Sequence, residues 1–429
     1  MVERAALSIL AFPQPMGLLT LAQRLHAAPL SVGALALLLV LPASYLAGLA
    51  YARARGRIVL GRSGLRPVYV KPEPGHVVIY GRTGSGKSNT AMVIVSELSK
   101  RVPVMVLDWH GEYVAMPGFK VLVPGNNFSI NPLEHRCGQL SEHMDFLVDL
   151  FGDVYHFTEP QRYMFRVILK QLYSEGAQPT LSQFMELLEE VPIRSYYDHE
   201  IKMALKRRLS GLTEGRAGRA LSQRSTMDLS ELFSSSVVID LSVFRSLYTK
   251  RLFCMILLKL LYDYATTERG ISPGVRHVTV IEEAWNVIPY RRLDTEPSIG
   301  ERLFAELRKH GELLIAVTQF PSETAWSIMK NARLLILHSL PPKELSLAGV
   351  DAELSKHLSR PGRAVIVEGS KVIRLRVRRS RYQVTHAQPR HLEEPEAAEK
   401  SPAEPEREAE VEACVEPEEG EEYIRIVLP

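Results

Sequence analysis

Cysteine is scarce: three in 429 residues, Cys137, Cys254 and Cys414, far apart in the chain. No metal or disulfide spacing links them. That excludes a disulfide framework and a structural zinc site, and makes a reducing compartment the expectation. No internal repeat is visible, which argues against a solenoid. Charge is missing altogether from residues 27–52, around the run Leu35-Ala36-Leu37-Leu38-Leu39-Val40-Leu41. About 20 such residues span a bilayer as a helix. Arg53, Arg55, Arg57, Arg62 and Arg66 follow, so the positive-inside rule puts all that comes after in the cytoplasm, at the cell membrane. The earlier uncharged run Ala5 to Gln23 contains Pro13 and Pro15; it fits either a second span or an interfacial segment. Aliphatic bulk is what the end of the chain lacks. From Glu393 onward there are 14 acidic residues against three basic ones, a balance of −11. Such a segment cannot bury enough apolar surface to fold alone, although it ends in the alternating Tyr423-Ile424-Arg425-Ile426-Val427-Leu428. The net charge of +3 therefore leaves +14 on the rest, which suits a polyanionic partner or an anionic membrane surface.

What is present is organised around Gly81-Arg82-Thr83-Gly84-Ser85-Gly86-Lys87-Ser88-Asn89. The spacing G-x-x-x-x-G-K-S is a P-loop pattern. The apolar run Val77 to Tyr80 before it reads as a strand, and Thr90 to Val95 after it as a helix. Glycines let several backbone N–H groups turn toward a phosphate, and the helix aims its positive end at the same place. Lys87 can reach the β- and γ-phosphates, and the Ser88 hydroxyl can ligate Mg²⁺. A chance Gly-rich turn would not bring the strand and the helix with it.

A second strand, Val104 to Leu107, ends in Asp108. That carboxylate points into the crevice at the carboxyl edge of the sheet or caps the turn after the strand; the pattern allows both. From Asn131 to about Ser230 the periodicity is helical, with Ser182 placed to cap a new helix ahead of Phe184. Lys202, Lys206, Arg207 and Arg208 cluster there, as a solvated face or a nucleic-acid contact. Later, Val278-Thr279-Val280-Ile281 runs into Glu282 and Glu283, a Walker B arrangement. The first acid would hold the Mg²⁺ shell and the second orient or deprotonate the attacking water. Strand Leu313 to Thr318 ends in Gln319, a position for sensing the γ-phosphate or for a simple strand-end turn. Val372 to Arg378 alternates aliphatic residues and arginines, so the arginines share one face.

The motif order resembles the HerA/FtsK superfamily of hexameric translocases, above all its HerA and conjugation (type IV secretion) ATPase branch. The matching stretches are G-R-T-G-S-G-K-S ending at Ser88, L-D-W-H-G-E-Y ending at Tyr113, F-S-I-N-P-L ending at Leu133 and V-V-I-D-L-S ending at Ser242. They continue with I-E-E-A-W ending at Trp285, L-R-K-H-G, V-T-Q-F-P-S ending at Ser322, and P-G-R-A-V from Pro361. The resemblance implies an α/β, RecA-like P-loop ATPase core with an all-α insertion, using ATP and Mg²⁺. It implies that Thr83, Gly84, Ser85, Gly86, Lys87, Ser88 and Asn89 hold nucleotide, and that Asp108 and Glu112 line the same crevice. Ser88 and Glu282 would hold the metal. Glu283 would be the catalytic glutamate, Gln319 the sensor, and Arg308 an arginine finger for a neighbouring subunit. Walker B begins with Glu282 where the family usually has Asp. No room precedes Gly81 for the β-barrel of HerA; the apolar run stands there instead, as in archaeal membrane-bound DNA-exchange ATPases.

The expected layout is an N-terminal segment 1–26, a transmembrane helix 27–52, a motor domain 53–392 with its insertion at about 131–230, and an acidic tail 393–429. The expected function is a membrane-anchored DNA translocase, a homo-hexamer with DNA and an integral membrane channel as partners. A secretion or pilus-type ATPase that does not thread DNA is the alternative.

Overall fold

The computed structural model describes residues 43–51, 56–136, 138–175, 178–292 and 296–382. Both runs read as membrane segments fall outside these residues, except for 43–51, which are helical. Among the described residues no helix is long and apolar enough to cross a membrane. The acidic tail also lies outside them.

Eleven strands form one sheet in the order β2-β1-β11-β10-β9-β3-β8-β7-β4-β6-β5. They are β1 (Ile58–Ser63), β2 (Arg66–Val70), β3 (His76–Tyr80), β4 (Val104–Asp108), β5 (Lys120–Leu122) and β6 (Val237–Asp240). Then come β7 (His277–Ile281), β8 (Glu312–Thr318), β9 (Ala332–Leu337), β10 (Arg363–Glu368) and β11 (Lys371–Val377). From β9 to β5 every pairing is parallel. From β9 outward through β10, β11, β1 and β2 every pairing is antiparallel. The sheet is thus a parallel block with an antiparallel wing.

The strands of the block are apolar on both faces, as parallel strands covered on both sides must be. Alternate residues divide between two cores. Val77 and Ile79 of β3 pack with helix α1 (Lys87–Leu98). Val78 and Tyr80 face the other side, with helix α2 (Leu247–Tyr264) and the helical segment. Thr90 to Val95 and Leu98 of α1 are all buried, which explains its near-uniform apolar sequence.

The helical segment runs from Leu140 to Ser234, between β5 and β6. One of its helices, Leu181–Glu190, starts from Thr180 rather than Ser182. Thr180 accepts from the Gln183 amide while the Gln183 side chain accepts from the Thr180 amide. A capping box needs Gln or Glu three residues on, and Thr180 has it. Three of the four residues of the basic cluster are spent locally, and Arg207 is exposed. Lys202 is buried and donates to the Val191 carbonyl, Lys206 pairs with Glu189, and Arg208 donates to Gln161. Arg291, after Walker B, is likewise forked onto Glu301.

Candidate nucleotide site

The carboxyl ends of the parallel strands bring the motifs together. β3 delivers the P-loop between β8 and β9, and β7, carrying Glu282 and Glu283 at its end, pairs with β8. The loop is pinned on three sides by backbone. Gly81 donates to the Gln319 carbonyl (3.0 Å), Arg82 to the Ser339 carbonyl (2.9 Å), and Gly362 to the Ser85 carbonyl (3.0 Å). Two glycines are required. Gly86 sits at φ +108° as the cap of α1. A Cβ on Gly81 would lie 2.6 Å from the Cβ of His338. Fixed in this way, the loop and the first turn of α1 form an anion site.

Around the loop, several polar atoms are buried without a protein partner: Ser85 Oγ, Glu112 Oε2 and Thr318 Oγ1. Lys87 folds back onto the Arg82 carbonyl at 3.2 Å. Burial lowers its pKa, while Glu283, Glu282, Glu112 and Glu323 act in the opposite direction. One ammonium facing four carboxylates leaves negative charge in excess. A divalent cation would suit that donor set, and Ser88 and Glu282 are the residues that would hold it.

The two Walker B acids have different surroundings. Glu282 is 4% exposed, and burial raises its pKa to about 7. His110 Nδ1 stands 3.9 Å from it, and that carboxylate holds the imidazole above its usual pKa. Glu283 is half-buried and left-handed, at φ +46°. This backbone costs a non-glycine residue roughly 1–3 kcal/mol and is typical of functional sites. Trp285 holds the side chain in place, its Nε1–H donating to Glu283 Oε2 at 2.7 Å.

Residues 58–261 match a family model described as "Helicase HerA, central domain". Over that stretch the chain is similar to the HerA central domain. VirB4 of Thermoanaerobacter pseudethanolicus is similar in structure, with a TM-score of 0.62 at 19% identity, over 76% of this chain and 97% of that one. The plasmid coupling protein TrwB with the ATP analogue ADPNP gives 0.53 at 15% identity, over 74% and 88%. TrwB with ADP and Mg²⁺ gives 0.50 at 14%, over 77% and 91%. At these identities the likeness is one of fold. No curated protein matches the sequence. Family and motifs together make the chain a P-loop ATPase.

Not every residue singled out in the sequence meets at the nucleotide site. Asp108 is fully buried, and its two oxygens accept from the amides of His110, Gly111, Glu112 and Tyr113. It shapes the turn that carries Glu112 to the crevice. Burial raises its pKa to about 6 despite those four bonds. Asn89 points away from the loop: Nδ2 donates to the Arg378 carbonyl and Oδ1 accepts from the Ser380 amide. Its role here is to tie α1 to the chain leaving β11. Gln319 lies beside the loop through its backbone bond to Gly81. Arg308 is exposed and precedes β8, so it stands at the amino edge of the sheet. The seven residues of β8 separate it from the P-loop, about 20 Å of strand.

Three residues escaped the sequence reading. His338 underlies the loop, accepting from or donating to Thr90 Oγ1 (2.9 Å) and bonding the Arg363 carbonyl through Nδ1 (3.1 Å). His110 faces Glu282, and Glu323 joins the acids around Lys87. His338 directly follows β9, so the rule that flagged Gln319, a polar residue at a strand tip, would have found it.

Proposed function

We propose that the chain is a membrane-anchored, ring-forming ATPase that moves DNA, with ATP and Mg²⁺ as its cofactors. The observation that carries the reading is a divided site. Loop, lysine and both glutamates gather at one edge of the sheet, and Arg308 stands exposed at the other. A guanidinium there reaches a triphosphate only if a second copy presents it. Hydrolysis is then coupled to ring geometry.

In the reaction, Lys87 and the loop amides hold the β- and γ-phosphates. Glu283, oriented by Trp285, takes a proton from the attacking water. Gln319, fixed by the loop itself, stands at the strand tip between them. Mg²⁺ would offset phosphate charge beside Ser88 and Glu282. The membrane anchor rests on the uncharged run 27–52 and its arginine flank. The plasmid coupling protein among the structural neighbours and the +14 body support DNA as the substrate.

The test is ATP hydrolysis by the full chain in detergent, with and without DNA, across a salt series. DNA should stimulate hydrolysis, and salt should remove the stimulation. A protein that hydrolyses ATP yet binds no DNA at any salt would favour a secretion-type ATPase instead.

A further inference from the structure

Four arginines of the antiparallel wing, Arg62, Arg363, Arg374 and Arg376, have no acidic partner among the described residues. Strand register makes them neighbours. Arg376 of β11 lies opposite Arg62 of β1 on one side and opposite Arg363 of β10 on the other. Arg374 follows on the same face, two residues along. They line a cavity of about 490 Å³ together with His357 and the β1–β2 turn, and among the described residues no carboxylate lines it. The Nε2 of His357 is buried there without a partner. Two other arginines of the wing region are paired: Arg378, just beyond β11, holds Glu97, and Arg333 holds Glu368.

Like charges directly opposite one another across strands repel and destabilise a sheet. This sheet holds three in a row, with a fourth beside them. At about 4.8 Å between strands the row is about 10 Å wide, and Arg374 extends it about 7 Å along the strand. That footprint is too broad for one phosphate and suits several phosphates of one strand. Guanidinium groups match phosphate oxygens in pairs.

We propose that this arginine basin is a binding site for the phosphate backbone of a nucleic acid. The proposal rests on the DNA-moving function above and names the surface that function uses. The basin also touches the catalytic loop. Gly362, next to Arg363, donates to the Ser85 carbonyl of the P-loop, and the Arg363 carbonyl accepts from His338 beneath it. A strand seated in the basin is one residue from the nucleotide loop, which gives DNA a short route to the ATPase.

The experiment is binding of a fluorescein-labelled oligothymidylate to the full chain in detergent, read by anisotropy over a salt series. The wild type is compared with Arg374→Gln/Arg376→Gln. Loss of two phosphate contacts should weaken binding at least tenfold at about 0.1 M salt and lower the salt slope by about 1.4. The lysine pair, Arg374→Lys/Arg376→Lys, should restore the slope. Without oligonucleotide the Gln pair should unfold at a urea concentration no lower than wild type, because repulsion is relieved. A Gln pair that binds with wild-type affinity and slope overturns the basin while leaving the DNA function standing. A wild type that binds no oligonucleotide at any salt overturns the DNA function, and the basin with it. A basin that takes polyglutamate but not the oligonucleotide is an acidic-peptide site, and the proposal is wrong.

Discussion

The two edges of the parallel block are built differently. At the carboxyl edge, Ser85 Oγ, Glu112 Oε2 and Thr318 Oγ1 are buried without partners, and Glu283 is held in a left-handed backbone. At the amino edge the buried carboxylate of Glu312 is fully engaged. His277 Nδ1 lies 2.9 Å away, and Thr279 Oγ1 and Arg269 Nη1 donate to it at 2.8 and 2.9 Å. Burial alone would raise the pKa of Glu312, but His277 and Arg269 outweigh it and hold the carboxyl below its usual range. The first edge leaves three buried oxygens for a ligand, and the second spends the Glu312 carboxylate on the fold. Arg308 belongs to the second edge and is exposed there. In the proposed reading, Arg308 completes the site of a second copy.

Substitutions at the first edge should therefore change chemistry with little change in stability, and those at the second the reverse. Glu283→Gln should lower phosphate release by at least about a hundredfold, the usual worth of a general base, while nucleotide binding survives. Normal turnover in that variant would remove Glu283 from the mechanism. Glu312→Ala should destabilise by about 3–5 kcal/mol, because Arg269 and His277 lose their buried counterpart. Its urea midpoint should fall, while turnover of the folded fraction changes far less than in Glu283→Gln.

His338, under the loop, should couple the first edge to pH. Burial holds its pKa near 4 in the folded chain, against about 6.5 unfolded. Between those values the unfolded chain binds a proton that the folded one refuses. The contribution is intact above pH 6.5 and is lost as pH falls toward 4, by up to roughly 3 kcal/mol. His76, also lowered to about 4 by burial, acts in the same direction. Glu282 and Asp108, both raised by burial, act in the opposite direction, so the test is a comparison: between pH 7 and pH 5 the urea midpoint of His338→Gln should fall less, or rise more, than that of the wild type. Trp285→Phe should have the smallest effect. It removes the indole N–H from Glu283 and should cost turnover about tenfold or less, since one charge-assisted hydrogen bond is lost. A hundredfold loss there would mean that Trp285 does more than orient.

Much of this was legible in the sequence because the signals are local. The P-loop spacing, the two glutamates after β7 and the helical period from Leu140 onward need no partner strand to be read. What escaped depends on which strands are neighbours. Glu323 and His338 matter because β3 lies between β8 and β9, an order that spacing along the chain does not give. The arginine basin needs the register of β1, β10 and β11, which are more than 300 residues apart in part and paired only in the folded sheet. Asp108 shows the other limit. An acid at a strand end can face a ligand or its own turn, and only the positions of four amides decide between them.

The divided site is tested most directly by mixing two inactive variants, Arg308→Ala and Glu283→Gln, and measuring ATP hydrolysis after subunit exchange. Each alone should be nearly inactive. The mixture should recover part of the activity, because an intact Glu283 then meets an intact Arg308 from its neighbour. A mixture no more active than its components, formed under conditions where exchange is shown to occur, would contradict a pocket shared between copies.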